Sequence, residues 1–540
     1  MHTSPFPVLT STVATAPTTG RPVILIGFLD QGNLGIGYLS ATLRRAGYAV
    51  EVLDVEQPAE QILAYVSQRD PIAVGFSLIF QFYLPRYAEL IQLLRSHGID
   101  CHFTMGGHFP TLSSTETLKA IPELDSVVRY EGEQTLLELV ACLDRGVDWR
   151  GLEGIATREG MNPSRHLAED LDTLPYPDRN FEPESILGRK AMPILASRGC
   201  ARTCSFCSIH TFYRSAPGKV VRTRKPAEVV KEMSILHRER DARIFLFQDD
   251  DFPLFGPVWK RWTRDFLAEL HKARLPGKVI WKINCRADAI DEELFAEMKA
   301  AGLYLVYMGL ESGTEEGLQT LNKNITVEQN IRAVETLKRL GILYEFGFMM
   351  FDPSTSFESV NENLHFLEAI TGDGSAAAVF CRMLPYDGTP IKDELARTGR
   401  LRGDVSNPDY DFLDDRIEHF YNALHRAMNI TGWIHGHRSI SPRLNWAWNE
   451  AAVMERLFPD VEELEEYRER LRAITKKTNE VLFEFVRTTG RAFSDGVPPT
   501  MDAVQLSSYC DHVVPELQYE RDRFIARNQH RMLAALAPAA

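Results

Sequence analysis

The feature that most limits the fold of this 540-residue chain is an alternation, met twice, between short apolar runs and longer amphipathic stretches. From Pro22 the runs VILIGFL (23–29), VEVLDV (50–55), IAVGFS (72–77), CHFTMGG (101–107) and SVVRYEG (126–132) are separated by helix-like segments such as IGYLSATLRRAG and LPRYAELIQLLRSHG. Each of those segments closes on a glycine, where a helix C-terminus calls for one. Strands alternating with helices at this spacing predict an α/β, Rossmann-like doubly wound domain over residues 22–150. Residues 151–190 carry Pro163, Pro175, Pro177 and Pro183 and little periodicity, as an extended connection would.

A second alternation then begins, with MPILAS (192–197), RIFLFQ (243–248), VIWKINC (279–285), LYLVYMG (303–309), LYEFGFMMF (343–351) and AAAVFCRML (376–384). Between them lie helical stretches such as ITVEQNIRAVETLKRLG, where Thr326 and Gln329 fit a capping box and Ile331, Val334, Leu337 and Leu340 form an apolar stripe. Six such units over 191–390 predict a (β/α)6 partial TIM barrel, whose chemistry belongs at the C-terminal ends of its strands. Past Pro390 the strand pattern fades, and residues 391–540 read as a helical C-terminal domain with charged outer faces. Residues 1–21, rich in Ser, Thr and Pro, read as a disordered tail. A chain of this length exceeds what one hydrophobic core supports, which agrees with several domains.

Composition decides three further points. Sixty basic against 74 acidic residues leave a net charge of −14 with no long basic run, which argues against a nucleic-acid partner. No uncharged run is long enough for a transmembrane segment, and no cationic start precedes an apolar stretch as in a signal peptide. The expected compartment is therefore the reducing cytoplasm, where clustered thiols bind metal or react instead of forming disulfides. Of eight cysteines, Cys200, Cys204 and Cys207 fall within eight residues in the segment SRGCARTCSFCSIH.

The C-x3-C-x2-C spacing follows directly on the first strand of the second alternation. Three thiolates on one short loop can hold three irons of a 4Fe-4S cluster and leave the fourth open to a ligand. His210, three residues beyond Cys207, offers the competing reading, a zinc site of three cysteines and one histidine. The spacing, its place after the first barrel strand and the aromatic Phe206 before the third cysteine resemble the radical S-adenosylmethionine (SAM) superfamily. In that family the open iron chelates the amino and carboxylate groups of SAM, and reductive cleavage yields a 5′-deoxyadenosyl radical. Polar residues close the other strands of the array: Asp249, Asp250 and Asp251 the second, Arg286 the third, Glu311 and Ser312 the fourth. The resemblance implies that Asp249 and Asp250 contact SAM, that Arg286 partners its polar groups and that Glu311 meets its ribose or amino group. Taken singly, each is equally an exposed loop charge or a helix cap. Asp352-Pro353, after the fifth strand, either closes the pocket or begins a helix.

The first domain carries a second fingerprint. Cobalamin-binding domains that hold the corrinoid through a histidine show Asp-x-His-x-x-Gly, then Ser-x-Leu, then Gly-Gly. Here Asp30-Gln31-Gly32-Asn33-Leu34-Gly35 is followed after 41 residues by Ser77-Leu78-Ile79, and after 26 more by Gly106-Gly107. The frame resembles the family, with Gly32 at the histidine position and Ile79 at the leucine. Loss of the axial imidazole resembles the cobalamin-dependent radical SAM class. His108 after the glycine pair and Glu131 within Tyr130-Glu131-Gly132-Glu133 complete the implied set, with Asp30, Gly32, Gly35, Ser77, Gly106 and Gly107 around the corrinoid.

The two resemblances together cover about residues 22–390 and imply three cofactors: a 4Fe-4S cluster, SAM and cobalamin. They imply a methyltransferase in which one SAM methylates reduced cobalamin and another is cleaved at the cluster. The adenosyl radical then takes hydrogen from an unactivated carbon, or less often phosphorus is the acceptor, and the substrate radical receives the methyl group. Tyr304 or Tyr307 on the fourth strand could position a small-molecule or lipid substrate, and a reducing partner such as flavodoxin or ferredoxin would supply electrons. Two alternatives stand beside this: the same cofactors in a cyclisation or rearrangement without methyl transfer, and a non-enzymatic corrinoid- or zinc-binding regulator. His435 and His437 in the tail fit surface or capping roles better than substrate contact.

Overall fold

The computed structural model describes residues 16–30, 32–179, 181–433, 439–497 and 503–537, so His435 and His437 lie outside the described residues. The chain divides into two compact units. The first comprises residues 1–183, 197–225 and 385–409; the second comprises 184–196, 226–384 and 410–540.

The first unit is built on a seven-stranded sheet of β1 (Val23–Gly27), β2 (Val50–Asp54), β3 (Ala73–Ser77), β4 (His102–Gly106), β5 (Ser126–Val128), β6 (Ile155–Thr157) and β7 (Gly160–Met161), in the order β2-β1-β3-β4-β5-β6-β7. The first five strands are parallel, and β6 and β7 add antiparallel at one edge. The stretch predicted as a bare connection thus also extends the sheet. Side chains alternate between two cores. Ile24, Ile26, Val74, Phe76, Phe103 and Met105 pack on one face, and Val23, Leu25 and Val50 on the other. Helices Ala59–Ser67 and Leu84–Ser96 cover the first face; Leu34–Arg45 and Glu133–Arg145 cover the second. Each fully buried Ile or Phe contributes about 1.5–3 kcal/mol, and that burial on both faces is why parallel strands read as continuous apolar runs. The strand order reverses between β1 and β3, and in open α/β sheets ligands sit outside the strand C-termini at such a reversal.

Beyond that sheet, the first unit takes in a short antiparallel ribbon of β10 (Ser197–Arg198) and β11 (Arg222–Thr223). The ribbon brackets the cysteine loop and helix Ser208–Arg214.

The second unit holds a six-stranded sheet in the order β15-β14-β13-β12-β9-β8, with β8 (Ser185–Ile186), β9 (Arg189–Ile194), β12 (Ala242–Phe247), β13 (Ile280–Cys285), β14 (Leu303–Glu311) and β15 (Leu343–Phe348). Strands β9 and β12 to β15 run parallel, each connected through helices, as in a partial barrel. The β8–β9 hairpin turns through Leu187 and Gly188, both at positive φ, the arrangement of a tight two-residue turn. The capping box of helix Val327–Leu340 forms as the sequence predicts, Thr326 and Gln329 each satisfying the other's backbone N–H. The Asp352 turn leads into helix Phe357–Thr371, whose N-cap is Ser356.

The sixth apolar run differs from a regular strand. Residues 376–384 follow β15 through a single parallel bridge, Phe351 to Arg382, and through hydrogen bonds from Cys381 N–H to Phe348 O (2.9 Å) and Met383 N–H to Phe351 O (2.8 Å). The reason lies in the C-terminal helix Leu464–Ser494. Its buried Asn479 donates to the carbonyls of Thr371 and Ala376 and accepts from Ala378 N–H, all at 2.9 Å. A side chain thereby satisfies backbone groups that a ladder would otherwise pair. The last helix, Ala503–Leu536, is tied down by Arg521, which donates two 2.6 Å bonds to the buried Glu450 of helix Ile440–Leu457. That middle helix packs on β13, β14 and β15.

Candidate active site

In the first unit the expected cobalamin residues gather at the strand C-termini. Ser77 lies in register between Gly27 and Gly106, at the ends of β1, β3 and β4. Gly107, at φ 114°, passes so close to Leu78 that an added Cβ would stand 2.8 Å from its carbonyl carbon and nearer still to the oxygen. No side chain fits there, which leaves a bare backbone edge suited to a bulky ligand. Asp30 is exposed on the turn after β1. Asn33 caps the following helix by accepting Ile36 N–H at 3.1 Å, and Gly35 occupies its first turn. His108 opens helix His108–Leu112; burial pushes its imidazole down to about 4, so it is neutral at physiological pH.

The cysteine loop belongs to the same unit. Gly199, immediately before Cys200, sits at φ 88° with the Val220 carbonyl carbon 3.0 Å from where a Cβ would be, so only glycine lets the loop leave β10 there. Cys204 is buried, Cys200 and Cys207 are half-buried, and Phe206 is half-buried between the last two. No disulfide joins any of the eight cysteines. Among the described residues no three His, Cys, Asp or Glu side chains surround one metal-sized point. A cluster site built from three cysteines needs no such point, because each thiolate binds a different iron. His210 points its Nδ1 at Cys207 O, 2.9 Å away. Helix Ser208–Arg214 packs on helix His108–Leu112, and the Phe212 ring meets the edge of His108 at 4.6 Å between centroids. The cysteine loop is therefore folded onto the glycine-pair edge of the first sheet.

A buried ion-pair network fixes that arrangement. Glu131 accepts from Arg198 at 3.2 Å, from Arg222 at 2.8 Å and from Ala168 N–H at 2.9 Å, while Glu133 accepts from Arg198 at 2.6 Å. Burial pushes the Glu131 carboxyl up, but the two guanidinium groups outweigh this and hold it below the usual carboxylate range. Glu131, which the resemblance placed among the corrinoid contacts, thus has both oxygens on the arms that carry the cysteines. The sequence contained the signal: Arg198 and Arg222 flank a run, 198–225, without a single acidic residue.

In the second unit the polar strand ends converge. Asp249, after β12, is 1% exposed and accepts Ala196 N–H at 3.1 Å, joining the ends of β9 and β12, whereas Asp250 beside it is exposed. Asn284 of β13 donates to the carbonyls of Phe247 and Asp249, each at 3.3 Å. Arg286 is buried and bonds Asp288 at 2.9 Å and the Lys323 carbonyl at 2.6 Å. Lys323 Nζ in turn pairs with Glu311 at 3.0 Å. Arg286 and Glu311 are linked through one lysine that sequence reasoning missed. Glu311 itself has φ 68° at a bulge in β14, a conformation that costs a non-glycine residue of order 1–3 kcal/mol and that clusters at functional sites.

On the same side of the sheet, alternate positions of three adjacent strands carry Lys282, Tyr307 and Glu345. Tyr307 is 37% exposed, with Lys282 Nζ 5.5 Å from its ring centre, whereas Tyr304 is buried against the C-terminal helices. Burial raises the carboxyl of Glu345, with Lys282 opposing the shift. The legible signal was polar residues on one face of strands that are otherwise apolar, Lys282-x-Asn284 in one and Glu345 in another. Carboxylates, an arginine and a phenol at one strand-end rim can take up the ammonium, carboxylate and diol of a small polar ligand.

Comparison with known proteins agrees with both halves. Residues 23–140 match the B12 binding domain and residues 194–367 the radical SAM superfamily. An uncharacterized methyltransferase of Pyrococcus horikoshii is 28% identical over 368 residues, covering 66% of this chain and 77% of the relative. The anaerobic magnesium-protoporphyrin IX monomethyl ester cyclase of Rubrivivax gelatinosus is 30% identical over 346 residues, 61% of this chain and 60% of the cyclase. The cytidylyl-2-hydroxyethylphosphonate methyltransferase of Streptomyces wedmorensis is 26% identical over 432 residues, 68% of this chain and 78% of that enzyme. In fold, the chain resembles the cobalamin-dependent SAM radical enzyme OxsB with aqua-cobalamin bound, at TM-score 0.66 and 18% identity over 96% of this chain and 83% of OxsB. It also resembles the radical SAM methyltransferase TsrM of Kitasatospora setae with cobalamin and a [4Fe-4S] cluster bound, at TM-score 0.59 and 20% identity over 70% and 75%. Among the described residues no helix is long and apolar enough to cross a membrane. With a B12 binding domain followed by a radical SAM domain on one chain, the protein belongs to the cobalamin-dependent radical SAM enzymes.

Proposed function

We propose that this enzyme is a methyltransferase that modifies an unactivated carbon, or a phosphorus, of a small-molecule, lipid or natural-product substrate. The observation that carries the reading is the folding of the cysteine loop onto the glycine-pair edge of the B12 binding sheet within one compact unit. A methyl carrier and a radical source serve one substrate only if their protein supports are held together. When bound, the cofactors supply a transferable methyl group and a radical able to take hydrogen from carbon.

The chain's own residues bind and orient. Cys200, Cys204 and Cys207 hold the cluster, with Phe206 beside it. Asp250, Arg286 and Glu311 bind SAM at the strand ends, and Asp249 sets the spacing of two of those ends through Ala196. Asp30, Gly32, Gly35, Ser77, Gly106, Gly107 and His108 surround the corrinoid, which the glycine edge admits. Tyr307 and the Lys282–Glu345 pair present polar groups to substrate on the inner side of the sheet. Residues 22–150 and 191–390 act as the two cofactor domains, 151–190 joins them, and a flavodoxin- or ferredoxin-like protein supplies electrons.

Two methyltransferase relatives favour methyl transfer, whereas the cyclase relative favours a second reading in which the same cofactors close or rearrange a ring. Anaerobic turnover with methyl-labelled SAM separates them. Methyl transfer yields S-adenosylhomocysteine, 5′-deoxyadenosine and labelled product together; ring chemistry yields 5′-deoxyadenosine alone. Reductive SAM cleavage that survived in Cys204→Ala would refute both.

A further inference from the structure

The position at which histidine-bearing cobalamin domains place their axial imidazole is Gly32, and the structure shows what stands in its place. Gly32 has φ 67°, in the left-handed region where histidine is tolerated better than most residues, so the backbone alone does not exclude an imidazole. The space does. A Cβ on Gly32 would lie 2.8 Å from both ε-carbons of Phe181 and closer to its ζ-carbon, inside contact distance of the ring.

Asp178, ahead of Phe181 in the chain, is held on helix Leu34–Arg45 by three ties. Asp178 N–H donates to Gly37 O at 3.0 Å, Ser40 Oγ donates to Asp178 at 2.6 Å, and Arg44 pairs with the same carboxylate at 3.0 Å. Gly37 matches this contact, because a Cβ there would stand 3.0 Å from Pro177 Cβ and nearer still to the Asp178 carbonyl. On the other side of the contact, Gly32 N–H donates to Leu29 O at 2.9 Å, and Asn33 donates to Phe28 O at 3.0 Å while capping the helix.

We propose that Phe181 is the positioning residue that keeps the lower face of the corrinoid free of protein nitrogen, its ring occupying the side-chain volume of residue 32. The inference rests on the cobalamin reading above and deepens it. The missing histidine is then one half of a paired change: the loop lost the ligand and Phe181 filled the gap with a group that cannot coordinate. An apolar ring leaves cobalt without a donor on that side, and axial ligand identity is one of the protein's levers on a metal's redox behaviour.

The test uses the full chain, loaded anaerobically with cobalamin and reduced to the paramagnetic Co(II) state, read by electron paramagnetic resonance with bound cobalamin quantified by absorbance. A coordinated nitrogen splits each cobalt line into three, and 15N-labelled histidine turns that triplet into a doublet, which separates a protein imidazole from the cofactor's own base. Wild type is expected to show no histidine splitting, and so is Gly32→His, because Phe181 still fills the space. Gly32→His combined with Phe181→Ala, and separately Phe181→His, are each expected to gain it. A Gly32→His single variant that ligates overturns the proposal, as does absence of splitting in both of the other variants. Wild-type chain that holds no cobalamin at all sinks the functional reading with it.

Discussion

Removing the charge of Glu131 should loosen the cysteine loop while leaving the sheet behind it intact. Glu131, Arg198 and Arg222 are each at most 11% exposed at the side chain, and Glu131 receives three hydrogen bonds, two of them from guanidinium groups. Breaking a buried pair from one side costs about 3–5 kcal/mol, because the stranded charge has no water to return to. Arg198 keeps Glu133 at 2.6 Å, so the lower end, about 3 kcal/mol, is the figure for Glu131→Gln. If that cost falls on local opening of the ribbon, amide exchange across residues 197–214 should accelerate about a hundredfold at about 1.4 kcal/mol per factor of ten. Hydrogen exchange followed by mass spectrometry reads this peptide by peptide. Strand Val50–Asp54 in the same unit should keep its protection, and the exposed pair partner Arg264, changed to Ala, should leave residues 197–214 as they were. The cluster should also be stripped faster by an iron chelator in Glu131→Gln. Wild-type exchange across 197–214 in that variant would refute the clamp.

Three further outcomes follow from the geometry. His102, buried in β4 with Nε2 2.9 Å from Ser126 Oγ, is pushed down to about 4 by burial, with Asp125 opposing and Arg95 and Arg150 reinforcing the shift. Its folded value lies below its unfolded one, so the stability it confers is complete above about pH 6.5 and is lost as pH falls toward 4. The loss between pH 7 and pH 5 is about 2 kcal/mol, visible in the urea midpoint of the first unit and absent in His102→Gln. Asn479→Leu strands the Ala376 carbonyl and the Ala378 N–H, whereas the Thr371 carbonyl keeps Gly374 N–H; at about 1 kcal/mol each it should cost about 2 kcal/mol and release the amides of residues 376–384 to exchange. Lys323→Met should weaken SAM binding about tenfold in equilibrium dialysis with iron content unchanged, because Lys323 holds Glu311 by its ammonium and Arg286 by its carbonyl.

Much of this molecule was legible in one dimension because the relevant physics is local or periodic. Alternating apolar and amphipathic runs located β1 to β5 and the barrel strands, a capping box marked the start of helix Val327–Leu340, and three cysteines on one loop marked a metal-site candidate that their place after the first barrel strand narrowed to a cluster. The spacing of Asp30, Ser77 and Gly106 carried across the first domain, because strand lengths and crossovers fix how many residues separate successive strand ends.

What the sequence could not determine are contacts between residues distant along the chain, where any of many polar groups could serve as partner. That Glu131 pairs with Arg198 and Arg222, 67 and 91 residues away, follows only from the fold. Lys323, invisible as one lysine among many, joins Arg286 to Glu311. The sixth run has a strand's composition, yet Asn479, 101 residues beyond Ala378, supplies the hydrogen bonds that a ladder would have made. Gly32 shows the division most clearly. Its departure from the histidine pattern is plain in the sequence, but only the tertiary structure brings Phe181 over it, since excluded volume is a property of neighbours in space and not in sequence.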